Sequence, residues 1–137
     1  MKEEEKIDFL NIVISLLPDC FSLEVKRFIA CQFALESDFG ESAFGLCNNN
    51  YCGMKVASFR ITLALNLDEK GEFAQFAGIS SCVHDYLLWL QSNKFTRAEL
   101  ANLGLFVQHL KVSGYCPEYD YIDKIEKLYL KFYGRKN

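Results

Sequence analysis

Apolar residues recur at helical spacing through most of this chain, and the breaks between the runs divide it into helices with one departure. Residues from about Glu3 to Leu17 form a first helix, stopped by Pro18-Asp19. Ser22 is placed to cap a second, in which Val25, Phe28, Ile29, Gln32 and Glu36 fall on one stripe. Residues 37–53 hold three glycines and three consecutive asparagines, a loop composition with a short turn of helix near Ala43. The period then changes. Val56, Phe59, Ile61, Leu63 and Leu65 lean toward alternation, and Asp68-Glu-Lys-Gly71 makes a turn before Phe73-Ala-Gln-Phe76, a pattern that predicts a β-hairpin. Ser80 or Ser81 opens a helix to about Gln91, and Thr96-Arg-Ala-Glu99 is a capping box for a helix ending near Gly114. Asp120 caps a last amphipathic helix through Tyr133, closed by Gly134. The expected fold is α+β, mostly α, with one domain over residues 1–137.

Composition narrows the functions open to this architecture. The chain has 137 residues, half of them hydrophobic, enough to bury a core without staples. A formal charge of −3 and a pI near 5.4 leave no basic footprint, so nucleic acid is not an expected partner. The longest apolar stretch, Phe9 to Leu17, is broken by Asn11 and Ser15 and is about half the length of a spanning helix, so no membrane insertion is expected. The acidic start, Glu3-Glu4-Glu5, does not resemble a secretory signal. Six cysteines (Cys20, Cys31, Cys47, Cys52, Cys82, Cys116) are expected as free thiols, because Cys31 and Cys82 fall inside helical apolar patterns, with one or more disulfides as the alternative. No pair has CxxC spacing, and no metal or other cofactor is expected.

One residue breaks the pattern. Glu36 places a carboxyl on the stripe of the second helix that faces the core. Such a group must be paired, exposed in a cleft, or kept protonated by desolvation, and the last state is what a general acid needs near neutral pH.

Around Glu36 the residues carry a resemblance. Ala34-Leu-Glu-Ser-Asp-Phe-Gly-Glu-Ser42 resembles the ALESGWGxS motif of the bacterial N-acetylglucosaminidases of glycoside hydrolase family 73. Asn49-Asn-Tyr-Cys-Gly-Met-Lys55 is similar to the family's NNLFGIK, and Phe73-Ala-Gln-Phe76 with Ser81-Cys-Val-His-Asp-Tyr86 is similar to FRxY…ES(I/V)xDY. Gly114-Tyr-Cys-Pro-Glu-Tyr-Asp-Tyr-Ile-Asp-Lys-Ile125 resembles GYATDPNYAxKI. The four blocks stand in family order and cover residues 28–125.

The resemblance implies a lysozyme-like fold, with a helical core and a small β-hairpin lobe flanking a cleft. It implies a monomeric enzyme that cleaves β-1,4 bonds after N-acetylglucosamine in peptidoglycan glycan strands, and hence action at the cell wall. By position Glu36 is the general acid, and Tyr115 maps onto the family's tyrosine opposite it. Asn50, Tyr51 and Gly53 are expected as one cleft wall, where amides, an aromatic face and a close backbone suit a sugar. Tyr121 opens the last helix and either lines the cleft or packs in the core. Gln32, one turn before the acid, either hydrogen-bonds the acid or its surroundings or is an ordinary polar cleft residue.

The departures bear on mechanism. Asp38-Phe39 stands where the family has Gly-Trp, and Cys52 where Phe is usual. Many relatives carry Thr-x-Glu in the hairpin, the proposed second carboxylate; here the stretch is Thr62-Leu-Ala64, with no acid from Val56 to Leu67. A one-carboxylate route, with the sugar's own acetamido oxygen as nucleophile, is therefore expected over relocation to Asp38, Asp68, Glu69 or Glu72. A weakly active or inactive glycan-binding domain, a muramidase and a lytic transglycosylase are the alternatives on the same fold.

Overall fold

The computed structural model describes residues 1–134 and contains seven helices in that span. They are α1 (Glu3–Leu16), α2 (Leu23–Ser37), α3 (Ala43–Asn48), α4 (Ile79–Ser92), α5 (Arg97–Leu100), α6 (Leu103–Ser113) and α7 (Tyr121–Tyr133). The acids Glu3, Glu4 and Glu5 fill the first turn of α1, where the helix dipole favours them. Ser22 caps α2 as its sequence predicts, its Oγ accepting the Val25 N–H at 3.1 Å. Every residue of α2 from Phe28 to Ala34 is buried, so this helix runs through the middle of the core rather than along its surface. It packs against α1, α3, α6 and α7, while α4 closes on α1. Burying a Phe such as Phe28 or Phe33 contributes about 1.5–3 kcal/mol, which makes α2 the element the rest of the fold assembles on.

Three helix boundaries depart from the sequence reading. The helix after the Thr96 capping box ends at Leu100, because Asn102 takes an extended conformation and its side chain accepts the Leu105 N–H, starting α6 afresh. Gly78, rather than Ser80 or Ser81, precedes the first turn of α4. Asp120 stands before α7, but its carboxylate reaches Lys124 at 3.7 Å instead of capping a backbone N–H.

The largest departure is the hairpin. Among the described residues no strand forms; residues 55 and 73 make one isolated antiparallel bridge. Its neighbours, Val56 N–H to Glu72 O at 2.7 Å and Ala74 N–H to Met54 O at 2.9 Å, keep the two ends of the segment together. Gly71 N–H adds a bond to Val56 O at 3.2 Å and Leu65 N–H one to Gln75 O at 2.7 Å, but other backbone donors go to side chains. Leu63 N–H donates to Asp85, Ala64 N–H to Thr62 Oγ1 and Gln75 N–H to Asn66 Oδ1, so no ladder develops. The alternation in the sequence is real, but its large apolar members Phe59, Ile61 and Leu65 point outward while Val56 and Ala64 turn inward.

The lobe is instead clamped onto α4. Asp85, fully buried, accepts both Arg60 guanidinium nitrogens at 2.9 and 3.2 Å, Thr62 Oγ1 at 2.8 Å and Leu63 N–H at 2.8 Å. A buried carboxylate stands only when its lone pairs are satisfied, and four donors do so here. All six cysteines are free thiols, with Cys31, Cys52 and Cys82 buried. Among the described residues no helix is long and apolar enough to cross a membrane.

Candidate active site

The last turn of α2 delivers Glu36, and an unusual turn follows it. Asp38, Phe39 and Gly40 all have positive φ (49°, 56° and 83°), the first two at a steric cost that L-residues seldom bear. Ser37 holds this turn: its Oγ donates to Phe33 O at 2.8 Å and accepts Gly40 N–H at 2.9 Å, while Asp38 and Phe39 N–H both return to Ala34 O. The helix is thereby stopped immediately beyond Glu36.

The carboxyl of Glu36 lies over the backbone of Gly53. A Cβ at Gly53 would collide with Glu36 Oε2, and Gly53 has φ +71°, so both the contact and the conformation require glycine. Gly53 in turn lines a cleft of about 420 Å³, with Lys55, Arg60, Trp89, Tyr115 and Pro117 around it. Glu36 thus meets the edge of the cleft at Gly53. No protein group among the described residues donates a hydrogen bond to its carboxyl. Burial pushes that carboxyl up from 4.5 to about 7, and the negative charge of Glu118 adds to the shift.

The 114–121 segment closes the other side. Tyr115 O–H donates to Cys52 O at 2.5 Å and so braces the loop that carries Gly53. Its ring stands edge-on to Trp89, with centroids 4.8 Å apart, and stacks on Tyr121 at 6.1 Å. Tyr115 and Trp89 together present an aromatic wall to the cleft. Burial raises the phenols of Tyr115 and Tyr121 well above the usual range, and the Glu36 charge adds to the shift at both.

The remaining sequence-predicted residues take other positions. Gln32 is 0 % exposed and spans two phenols, accepting Tyr86 O–H at 2.6 Å and donating to Tyr121 Oη at 3.0 Å. Asn50 is 1 % exposed; its amide donates to Met54 O and Ala74 O and accepts Met54 N–H. Neither side chain reaches the cleft surface: Gln32 orients the tyrosines and Asn50 shapes the loop behind Gly53. Tyr51 turns toward α1, its ring 6.0 Å from Phe9 and its hydroxyl donating to Asn49 Oδ1. Ala64, where relatives place an acid, is buried.

The site also draws on residues that the sequence reading passed over. Trp89 lies one turn beyond Asp85 on α4, and that helical spacing after the Asp85-Tyr86 pair was the available signal for both. Glu118 lies in the quoted 114–125 block, but nothing in its spacing showed that its charge would reach Glu36. Among the described residues no three metal-ligating side chains come together.

The family described as mannosyl-glycoprotein endo-beta-N-acetylglucosaminidase, the glucosaminidase domain, has a sequence model that matches residues 24–134. The chain belongs to this family. Its mostly helical architecture is consistent with a lysozyme-like glucosaminidase domain, and membership supports a glycosidase type of function. No curated protein and no solved structure matches the chain.

Proposed function

We propose that this domain hydrolyses β-1,4 bonds after N-acetylglucosamine in peptidoglycan strands, with Glu36 as general acid and the substrate's acetamido oxygen as nucleophile. The observation that carries the reading is a carboxyl held near neutrality by burial, seated over a glycine at the edge of an aromatic-walled cleft. Protonated Glu36 gives its proton to the glycosidic oxygen as that bond breaks. The acetamido oxygen attacks the anomeric carbon from the opposite face, forming a cyclic oxazolinium. Water then opens the ring, and the Glu36 carboxylate takes the water's proton. Trp89 and Tyr115 offer edges and faces to the C–H surface of a sugar, and Lys55 gives the cleft a positive charge that suits the carboxylates of muramic acid and its peptide, the Arg60 charge being balanced by Asp85.

A second reading has its own observation. Glu118, on the segment that closes the cleft, adds its negative charge at Glu36 and is paired with Lys124 at 3.0 Å, which makes it the acid to test as a relocated second carboxylate. Digestion of purified peptidoglycan, reduction of the products and mass spectrometry of the new ends test the reaction. Reduced N-acetylglucosamine at the new end is expected. Reduced or anhydro muramic acid would assign the other bond, and no release from several peptidoglycans would leave a glycan-binding module.

A further inference from the structure

We infer that Cys52 and Cys82 are an intramolecular disulfide site, closed when the chain folds in the presence of an organic disulfide. Their Sγ atoms are 3.4 Å apart although Cys52 sits in the loop after α3 and Cys82 in the first turns of α4. A disulfide of about 2.05 Å asks for roughly 1.4 Å of further approach. The loop already lies against Cys82, since Tyr51 N–H donates to Cys82 Sγ at 3.3 Å. Besides its partner sulfur, Cys52 Sγ approaches Asn50 Oδ1 at 3.9 Å, and the Met54 N–H and Tyr115 hydroxyl also act on it; these are weak sulfur contacts that a disulfide sulfur can keep as an acceptor. Among the described residues no other two cysteine sulfurs touch; Cys20 and Cys47 are exposed and Cys31 is buried elsewhere, near Tyr129 and Tyr133.

Both thiols are enclosed in the folded protein, so exchange belongs to the folding chain, before the loop settles on α4. One thiolate attacks the reagent's S–S bond and releases one reagent thiol. The second thiolate then displaces the mixed disulfide and releases the other. Two electrons pass from the cysteine pair to the reagent, and the two protons end on its thiols. The product ties the Tyr51–Gly53 backbone covalently to α4. The free-thiol expectation then describes the reduced protein, and this inference stands whether or not the domain hydrolyses glycan.

The test is to unfold the full chain with reductant and refold it with a mixture of reduced and oxidised glutathione. The products are blocked with iodoacetamide in denaturant and digested without reduction for mass spectrometry. The expected result is a linked pair of peptides carrying Cys52 and Cys82, with Cys20, Cys31, Cys47 and Cys116 blocked. The oxidised protein should melt roughly 10–15 °C above the reduced one, as a cross-link closing a loop of this length predicts. Six blocked cysteines, or bridges scattered over other pairs, would overturn the inference. In the variant Cys82→Ala the oxidant-dependent rise in melting temperature should vanish; its persistence would also overturn it. Should that variant not fold, the peptide map of the parent protein decides alone.

Discussion

Replacing Glu36 by Gln separates catalysis from stability in one variant. The carboxyl's pKa is about 7 in the folded protein, against 4.5 for the same group in an unfolded chain. Below about pH 4.5 both states hold the proton, so parent and variant should be equally stable. Between 4.5 and 7 the folded state keeps a proton that the unfolded state has lost, and the parent's stability falls as pH rises through this window. Above it the parent carries a constant deficit. The shift corresponds to about 3 kcal/mol, reduced to about 2–3 kcal/mol for the partial solvent access of the side chain. Gln is neutral throughout, so at about pH 8 the variant should be the more stable by that amount, or roughly 5–10 °C in melting temperature for a chain of this size. Release of soluble muropeptides should fall by roughly two to four orders of magnitude, because the transferable proton is gone. Thermal melts of both proteins across the pH range, beside a wall-digestion assay, measure the two effects. A difference in melting temperature that does not change with pH would refute the desolvated acid, and near-normal digestion by the variant would remove Glu36 from the chemistry.

Glu118→Gln removes a negative charge acting on Glu36 and should lower its pKa, moving the alkaline limb of the kcat/KM profile to lower pH. Activity on the acid side should stay within about tenfold if the acetamido group is the nucleophile, and complete loss would make Glu118 the second carboxylate. Gly53→Ala should destabilise the protein by roughly 1–3 kcal/mol in denaturant titrations. Part of that cost should disappear in combination with Glu36→Ala, and a purely additive pair would mean the two residues do not touch. Asp85→Ala leaves the Arg60 guanidinium without its partner and should cost about 3–5 kcal/mol, so a urea midpoint close to the parent's would deny the clamp.

The parts of the fold legible in the sequence were those decided locally. Ser22 before an apolar run and Gly134 after one mark α2 and α7, because capping and helical periodicity involve residues within a few positions of each other. Glu36 was legible for the same reason, as an acid on a helical apolar stripe. The hairpin was misread because its outcome depends on Asp85, a carboxylate more than twenty residues away that takes the Leu63 N–H and the Thr62 hydroxyl. Gln32 and Asn50 look like cleft residues in the sequence because they are polar. Their partners, the Tyr86 and Tyr121 phenols and the Met54 and Ala74 backbone, become visible only when the chain is folded. The break at Asn102 lies between these cases: the residue can cap, yet the unbroken apolar pattern hides that it does.

The Asp85 clamp also sets how this protein comes apart. A sheet lobe would share its backbone bonds among neighbours and resist opening as a unit, but here few amides between residues 57 and 70 bond to another segment's backbone. Releasing the Asp85 carboxylate from Arg60, Thr62 and Leu63 therefore leaves the excursion with little more backbone bonding between its arms than Leu65 N–H to Gln75 O. The lobe is expected to open separately from the helical core, with the buried Arg60–Asp85 pair as a main restraint. Its amides should exchange with solvent hydrogen well before those of α2, and limited proteolysis should cut first in this stretch. The same excursion carries Arg60 and Ala57 along the cleft wall, so opening of the lobe should change the width of the groove beside Gly53.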